Sequence, residues 1–279
     1  MIASLNRAFC AGFLLVLSAC ASGASSGLTD SAATGVYDGG TGPFAVNLTS
    51  DSVGGQTVTW YEPEGGNGLA VAWSHGFARS PENHAASAER AASWGFLVAT
   101  PEPPSFSDQE VNAEFLTGDL HDAAVGRGAT DVGYVGHSAG GLASVLAASG
   151  GDAWILVGLD GTDVDDLGLT AAPAVTAPTL LLAGEPSACN ADGNGRAWTK
   201  SGQLRRLVVN GASHCDFESD TDSLCESLCG ATDPARQDGV AAWTIAWLME
   251  AAGEDAGAWK DGGDEEATQV ASGRITNGW

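Results

Sequence analysis

Ser138 is the residue of this chain best placed to act as a nucleophile. It sits in Gly136-His137-Ser138-Ala139-Gly140, a G-x-S-x-G pattern. A serine hydroxyl reacts only when its surroundings take its proton and stabilise the negative charge that develops. The adjoining sequence offers the means for the second task. Val132-Gly133-Tyr134-Val135 reads as a short β-strand and residues 142–148 as a helix. A sharp turn between them holds the serine in a strained backbone conformation, and glycines at 136 and 140 leave room around it. The hydroxyl then stands at a helix N-terminus, whose dipole favours a developing anion.

The elements that must position this turn form a regular series. Residues 42–46 and 56–63 read as an antiparallel start. Runs rich in Val, Leu and Ala come next, at 69–73, 96–100, 154–159, 179–183 and 204–209. Helical composition lies between or after them, at 81–94, 113–125 and 240–251. Strands alternating with helices predict an α/β fold, with a mostly parallel sheet covered on both faces.

Composition bounds the partners. The 279 residues are 44% hydrophobic, enough for one sizeable core, expected over 43–252. The net charge is -24, from 35 acidic against 11 basic residues. Such a surface repels phosphate backbones and anionic head groups, which argues against nucleic acid and lipid surfaces as partners. Arg7, the apolar run at 13–17 and Leu17-Ser18-Ala19-Cys20 read as an export signal over 1–20, and its end resembles a bacterial lipobox. That resemblance implies lipid attachment at Cys20 and anchoring in the cell envelope; an ordinary secretory signal is the alternative. Residues 21–42 read as a flexible tether and 253–279 as an acidic tail of low order.

With the turn placed, the order of parts resembles the α/β-hydrolase superfamily. The likeness spans about residues 42–250. His75-Gly76-Phe77 and the segment from Trp94 to Pro101 resemble its chlorophyllase-like and cutinase-like (polyester hydrolase) branch. This resemblance implies a serine carboxylic-ester hydrolase without a cofactor, acting as a monomer on small or polymeric esters. Lipase or platelet-activating-factor-acetylhydrolase-like chemistry, or a catalytically inactive binding protein on the same scaffold, are the alternatives. The superfamily places its base after the last strands, which selects His214 in Gly211-Ala212-Ser213-His214. It implies Asp160 in Gly158-Leu159-Asp160 as the acid, 22 residues after Ser138, with Glu185, Asp163 and Asp192 as alternatives. The backbone N–H groups of Phe77 and Ala139 are its expected oxyanion donors. Only 17 residues separate Asp160 from Pro178. That is too few for a helical cap, so an open groove without a lid is expected.

Cys10 and Cys20 fall in the signal. Cys189, Cys215, Cys225 and Cys229 remain, and in an exported chain they predict two disulfides. The resemblance favours Cys189–Cys215 slightly among three pairings. Their spacing lacks a paired C-x-x-C, which argues against zinc. Asp160, Asp163, Asp165 and Asp166 form an acidic loop without EF-hand spacing, read as solvated rather than calcium-binding. No metal is expected.

Overall fold

The computed structural model describes residues 36–200 and 202–279. The export signal, Cys20 and most of the expected tether therefore lie outside the described residues. A nine-stranded sheet organises the described chain. Its strands are β1 (Val46–Val53), β2 (Gln56–Pro63), β3 (Leu69–Ser74), β4 (Leu97–Pro101), β5 (Asp131–His137), β6 (Leu156–Leu159), β7 (Thr179–Ala183), β8 (Leu204–Val209) and β9 (Ile275–Asn277). The spatial order is β1-β2-β4-β3-β5-β6-β7-β8-β9. Strands β3 to β8 run parallel, while β1, β2 and β9 are antiparallel to their neighbours.

The central strands are apolar on both sides because both faces are covered. Val71 and Trp73 of β3 point into one core with α1 (Ala85–Ser93) and the later helix Pro234–Ala251, which supplies Trp243, Ile245 and Trp247. Ala70 and Ala72, one residue out of step, face the other core. There they meet α2 (Gln109–Phe115), α3 (His121–Gly126) and α4 (Ala139–Ala148). A π-helical turn at Leu116–Leu120 joins α2 to α3. Asp108 caps α2 by accepting the Val111 N–H, so this helix starts four residues earlier than composition suggests.

Three expectations need correction. Residues 253–279 are not a tail of low order. They form a helical turn at Gly257–Trp259, the helix Asp264–Ala271 and β9, which pairs with β8. Their acidic composition hides a few apolar anchors. Ala256 and Ile275 are buried, and Trp259 stands edge-on to Trp243 at 5.0 Å. The tether ends earlier than residue 42: Tyr37 is buried, donates to the Ala242 carbonyl at 3.1 Å and meets Trp94 edge-on at 5.1 Å. One aromatic ring among small residues is enough to fix this segment.

The third correction concerns the cysteines. Two disulfides are present, but they pair Cys189 with Cys229 and Cys215 with Cys225. Both converge on a short helix, Ser223–Cys229, where Cys225 and Cys229 lie one turn apart. The favoured Cys189–Cys215 bridge is replaced because this helix lies between the two loops and takes one cysteine from each.

Candidate active site

The turn from β5 into α4 is as tight as its glycines require. Ser138 has φ 55 and ψ -123, a conformation that costs a non-glycine residue about 1–3 kcal/mol. Hydrogen bonds hold it there. Its N–H donates to the Leu159 carbonyl at 3.0 Å, and its carbonyl accepts from Gly141 and Thr162. A Cβ on Gly136 would fall 2.2 Å from the Gly140 carbonyl oxygen, and one on Gly140 would fall 2.4 Å from that of His75. Both glycines are therefore dictated by close backbone approach.

The loop after β3 runs against the serine. A Cβ on Gly76 would lie 2.9 Å from Ser138 Cβ and 3.5 Å from its Oγ. Phe77 is the next residue. Its N–H has no partner among the described residues. Ala139 opens α4, where a helix leaves its first N–H groups unpaired. The Ala139 N–H thus directly follows the serine, and the Phe77 N–H follows the glycine that runs against it.

His214 and Asp160 meet across 54 residues of sequence. The imidazole Nδ1 lies 2.6 Å from Asp160 Oδ2, and both side chains are buried. Asp160 directly follows β6 with a positive φ of 44. Its other oxygen accepts the Gly184 N–H at 2.9 Å. Two of the three alternative acids are engaged elsewhere, and the third faces solvent. Glu185 accepts from the Gly211 N–H at 3.0 Å. Asp163 accepts from Gly168, Leu169 and the Trp198 indole. Asp192 is exposed. In the acidic loop, Asp163 thus serves backbone and indole donors, and Asp165 and Asp166 are exposed.

His137 turns beneath this pair. Its ring centroid is 4.4 Å from that of His214, and its Nε2 lies 3.2 Å from the His214 carbonyl oxygen. The carbonyl can only accept, so that nitrogen carries the proton. Its Nδ1 faces Glu218, at 3.8 Å. Glu218 is itself held by a two-pronged ion pair: Arg79 Nε to Oε1 at 2.5 Å and Nη2 to Oε2 at 2.7 Å. The same guanidinium reaches Asp222 at 3.1 Å. Arg79 stands two residues after Phe77, so it ties the loop after β3 to the segment that follows His214. Sequence reasoning missed this clamp, because its partners are 139 residues apart and neither belongs to a motif.

A cleft of about 180 Å³ opens beside Ser138. Ala139, Gly140 and Ala143 carry its wall up to the serine, and Phe115 and Leu116 add apolar surface. Phe77 and Phe106 are exposed at 55% and 66%, with ring centroids 4.3 Å apart. Ser138 and His214 stand at the margin of this cleft rather than among its lining residues.

The buried imidazoles have a consequence for acid stability. Burial pushes the His84 pKa down to about 3, helped by the neighbouring His75 and Arg79. His137 is lowered well below the ordinary value of 6.5, again chiefly by burial and then by His214 and His84. Below pH 6.5 the unfolded chain takes up these protons while the folded chain does not. Their stabilising contribution is complete above that pH and is lost as pH falls towards the folded values. The slope is about 1.4 kcal/mol per pH unit for each imidazole. His84→Leu should therefore flatten the pH dependence of urea-denaturation stability by about that amount. Neither ring nitrogen of His84 has a hydrogen-bond partner, so the variant loses no bond. An unchanged slope would show that His84 is protonated in the folded chain.

No protein-family model matches the chain, and no curated protein matches it.

Proposed function

We propose that this chain is a serine carboxylic-ester hydrolase of the α/β-hydrolase kind. The observation that carries the reading is a strained serine turn set beside a buried imidazole–carboxylate pair: Ser138 N–H donates to Leu159, the residue before Asp160, and the ring of His137, the residue before the serine, lies 4.4 Å from that of His214. In this scheme Ser138 Oγ attacks the ester carbonyl as His214 Nε2 takes its proton. Asp160 holds the Nδ1 proton, fixes the tautomer and stabilises the imidazolium. The Phe77 and Ala139 N–H groups receive the oxyanion. Collapse of the tetrahedral species expels the alcohol, which takes the proton from His214. Water then attacks the acyl-enzyme by the same route.

The cleft supports short to medium acyl groups, given its volume and apolar wall. Glu102 also lines it, which favours neutral over anionic acyl groups. An uncapped site is supported by the segment after Asp160, which holds only the short helix Leu167–Ala171 and one further turn. The two disulfides fit an exported protein.

The test is covalent. A fluorophosphonate should label the chain once, and peptide mapping should place the adduct on Ser138. Competition with a short nitrophenyl ester should protect it. Labelling at another residue, or none, would refute the reading.

A further inference from the structure

Asn190 is fully buried and comes directly after Cys189 in the loop beyond β7. Its side-chain nitrogen lies 3.2 Å from Asp160 Oδ1, 3.0 Å from Asp160 Oδ2 and 2.9 Å from the Glu185 carbonyl oxygen. Its oxygen accepts the N–H groups of Ser187 at 2.8 Å and Gly193 at 3.0 Å. These partners fix which way the amide points, since backbone N–H groups face the oxygen and acceptors face the nitrogen. The loop itself is costly, with Ala191, Asp192 and Gly193 all in left-handed conformations. Asn190 is the buried side chain around which it winds, and the Cys189–Cys229 bridge fastens it one residue away.

We infer that Asn190 is a positioning residue for the acid of the triad, acting through the Asp160 carboxylate on His214. The inference rests on the proposed roles of those two residues. A carboxylate that also receives an amide N–H has its charge shared between the amide and the imidazole. The amide thus limits how tightly Asp160 holds the imidazolium and fixes the plane of the carboxylate relative to Nδ1. Without it, the imidazolium is held more strongly and less precisely aimed.

Asn190→Asp separates this role from loop structure. It keeps an oxygen for Ser187 and Gly193 but puts a second carboxylate where the amide N–H group was. The acid limb of kcat/KM for a short nitrophenyl ester should move up by about one pH unit. The value at the plateau should fall by about 10²-fold, as expected for a misaimed base. The His214 ring, followed by proton NMR without substrate, should show the same upward move in its titration. Asn190→Leu should do likewise. The other ionisable groups around His214 are untouched by either change: His137, with the Arg79-paired Glu218 behind it, and Asp216 of the same turn with its Arg236. The paired variant Cys189→Ser with Cys229→Ser loosens the loop but leaves the amide in place, so it should lower the melting temperature without moving the titration.

An unmoved His214 titration in both Asn190 variants overturns the inference and leaves the hydrolase reading intact. An equal shift in the cysteine variant also overturns it, since loop order would then be the cause. A shifted titration in the Asn190 variants of a chain whose wild type turns over no ester upholds the positioning role and sinks the hydrolase reading instead.

Discussion

Ser138→Ala should lower ester turnover by about 10⁶-fold while the protein stays folded. The size reflects removal of the only atom that bonds to substrate. On the proposed mechanism, what remains is binding and oxyanion stabilisation by the Phe77 and Ala139 N–H groups, which leave a residual rate about 10³–10⁴ above water. The folded state should tolerate the change. Alanine keeps the Cβ that the turn already accommodates, and the bonds to Leu159, Gly141 and Thr162 are made by the backbone. Kinetics on a short nitrophenyl ester and a thermal melt together decide the matter. A variant that melts as the wild type does but keeps its turnover would place the nucleophile elsewhere.

The parts legible in the sequence were those carried by local pattern. The apolar runs that became β3 to β8 are continuous because both sheet faces are covered, and each falls within a few residues of its expected place. The serine turn was legible because close backbone approach leaves glycine as the only choice at 136 and 140. Segments defined by composition fared worse. The acidic 253–279 reads as solvated on average, yet Ile275 and Trp259 suffice to seat it on the sheet and on Trp243. An average over twenty-odd residues conceals two good anchors. The disulfide partners were invisible for a related reason. Four cysteines close in sequence allow three pairings, and the choice depended on where the helix Ser223–Cys229 lies. Arg79, Glu218 and Asn190 are polar residues of ordinary type. Only tertiary structure shows that Arg79 is committed to the buried Glu218, and the buried Asn190 amide to Asp160.

Asp160→Asn should lower kcat by about 10⁴-fold with little change in KM. The hydrogen bonds around position 160 explain why the loss is so large for a swap of one oxygen for nitrogen. Three donors converge on the carboxylate: the Gly184 N–H, the Asn190 amide and His214 Nδ1. An amide there has one oxygen, and at the Oδ1 position it accepts both the Gly184 N–H and the Asn190 amide, which reaches that oxygen at 3.2 Å. Its own N–H group is then left facing His214 Nδ1. That nitrogen must become the acceptor, so the imidazole proton moves to Nε2, the atom that receives the serine proton in the proposed mechanism. The base is present and well placed, but in the wrong tautomer. Glu185→Gln is the matched control, because Glu185 spends its carboxylate on the Gly211 N–H and should leave kcat unchanged. Steady-state kinetics on both variants settle the assignment: a large loss in Glu185→Gln with an unaffected Asp160→Asn would move the acid to the end of the neighbouring strand. A rate that recovers when Asn190→Asp is added to Asp160→Asn would show that the carboxylate need only stand near His214 and not directly after β6.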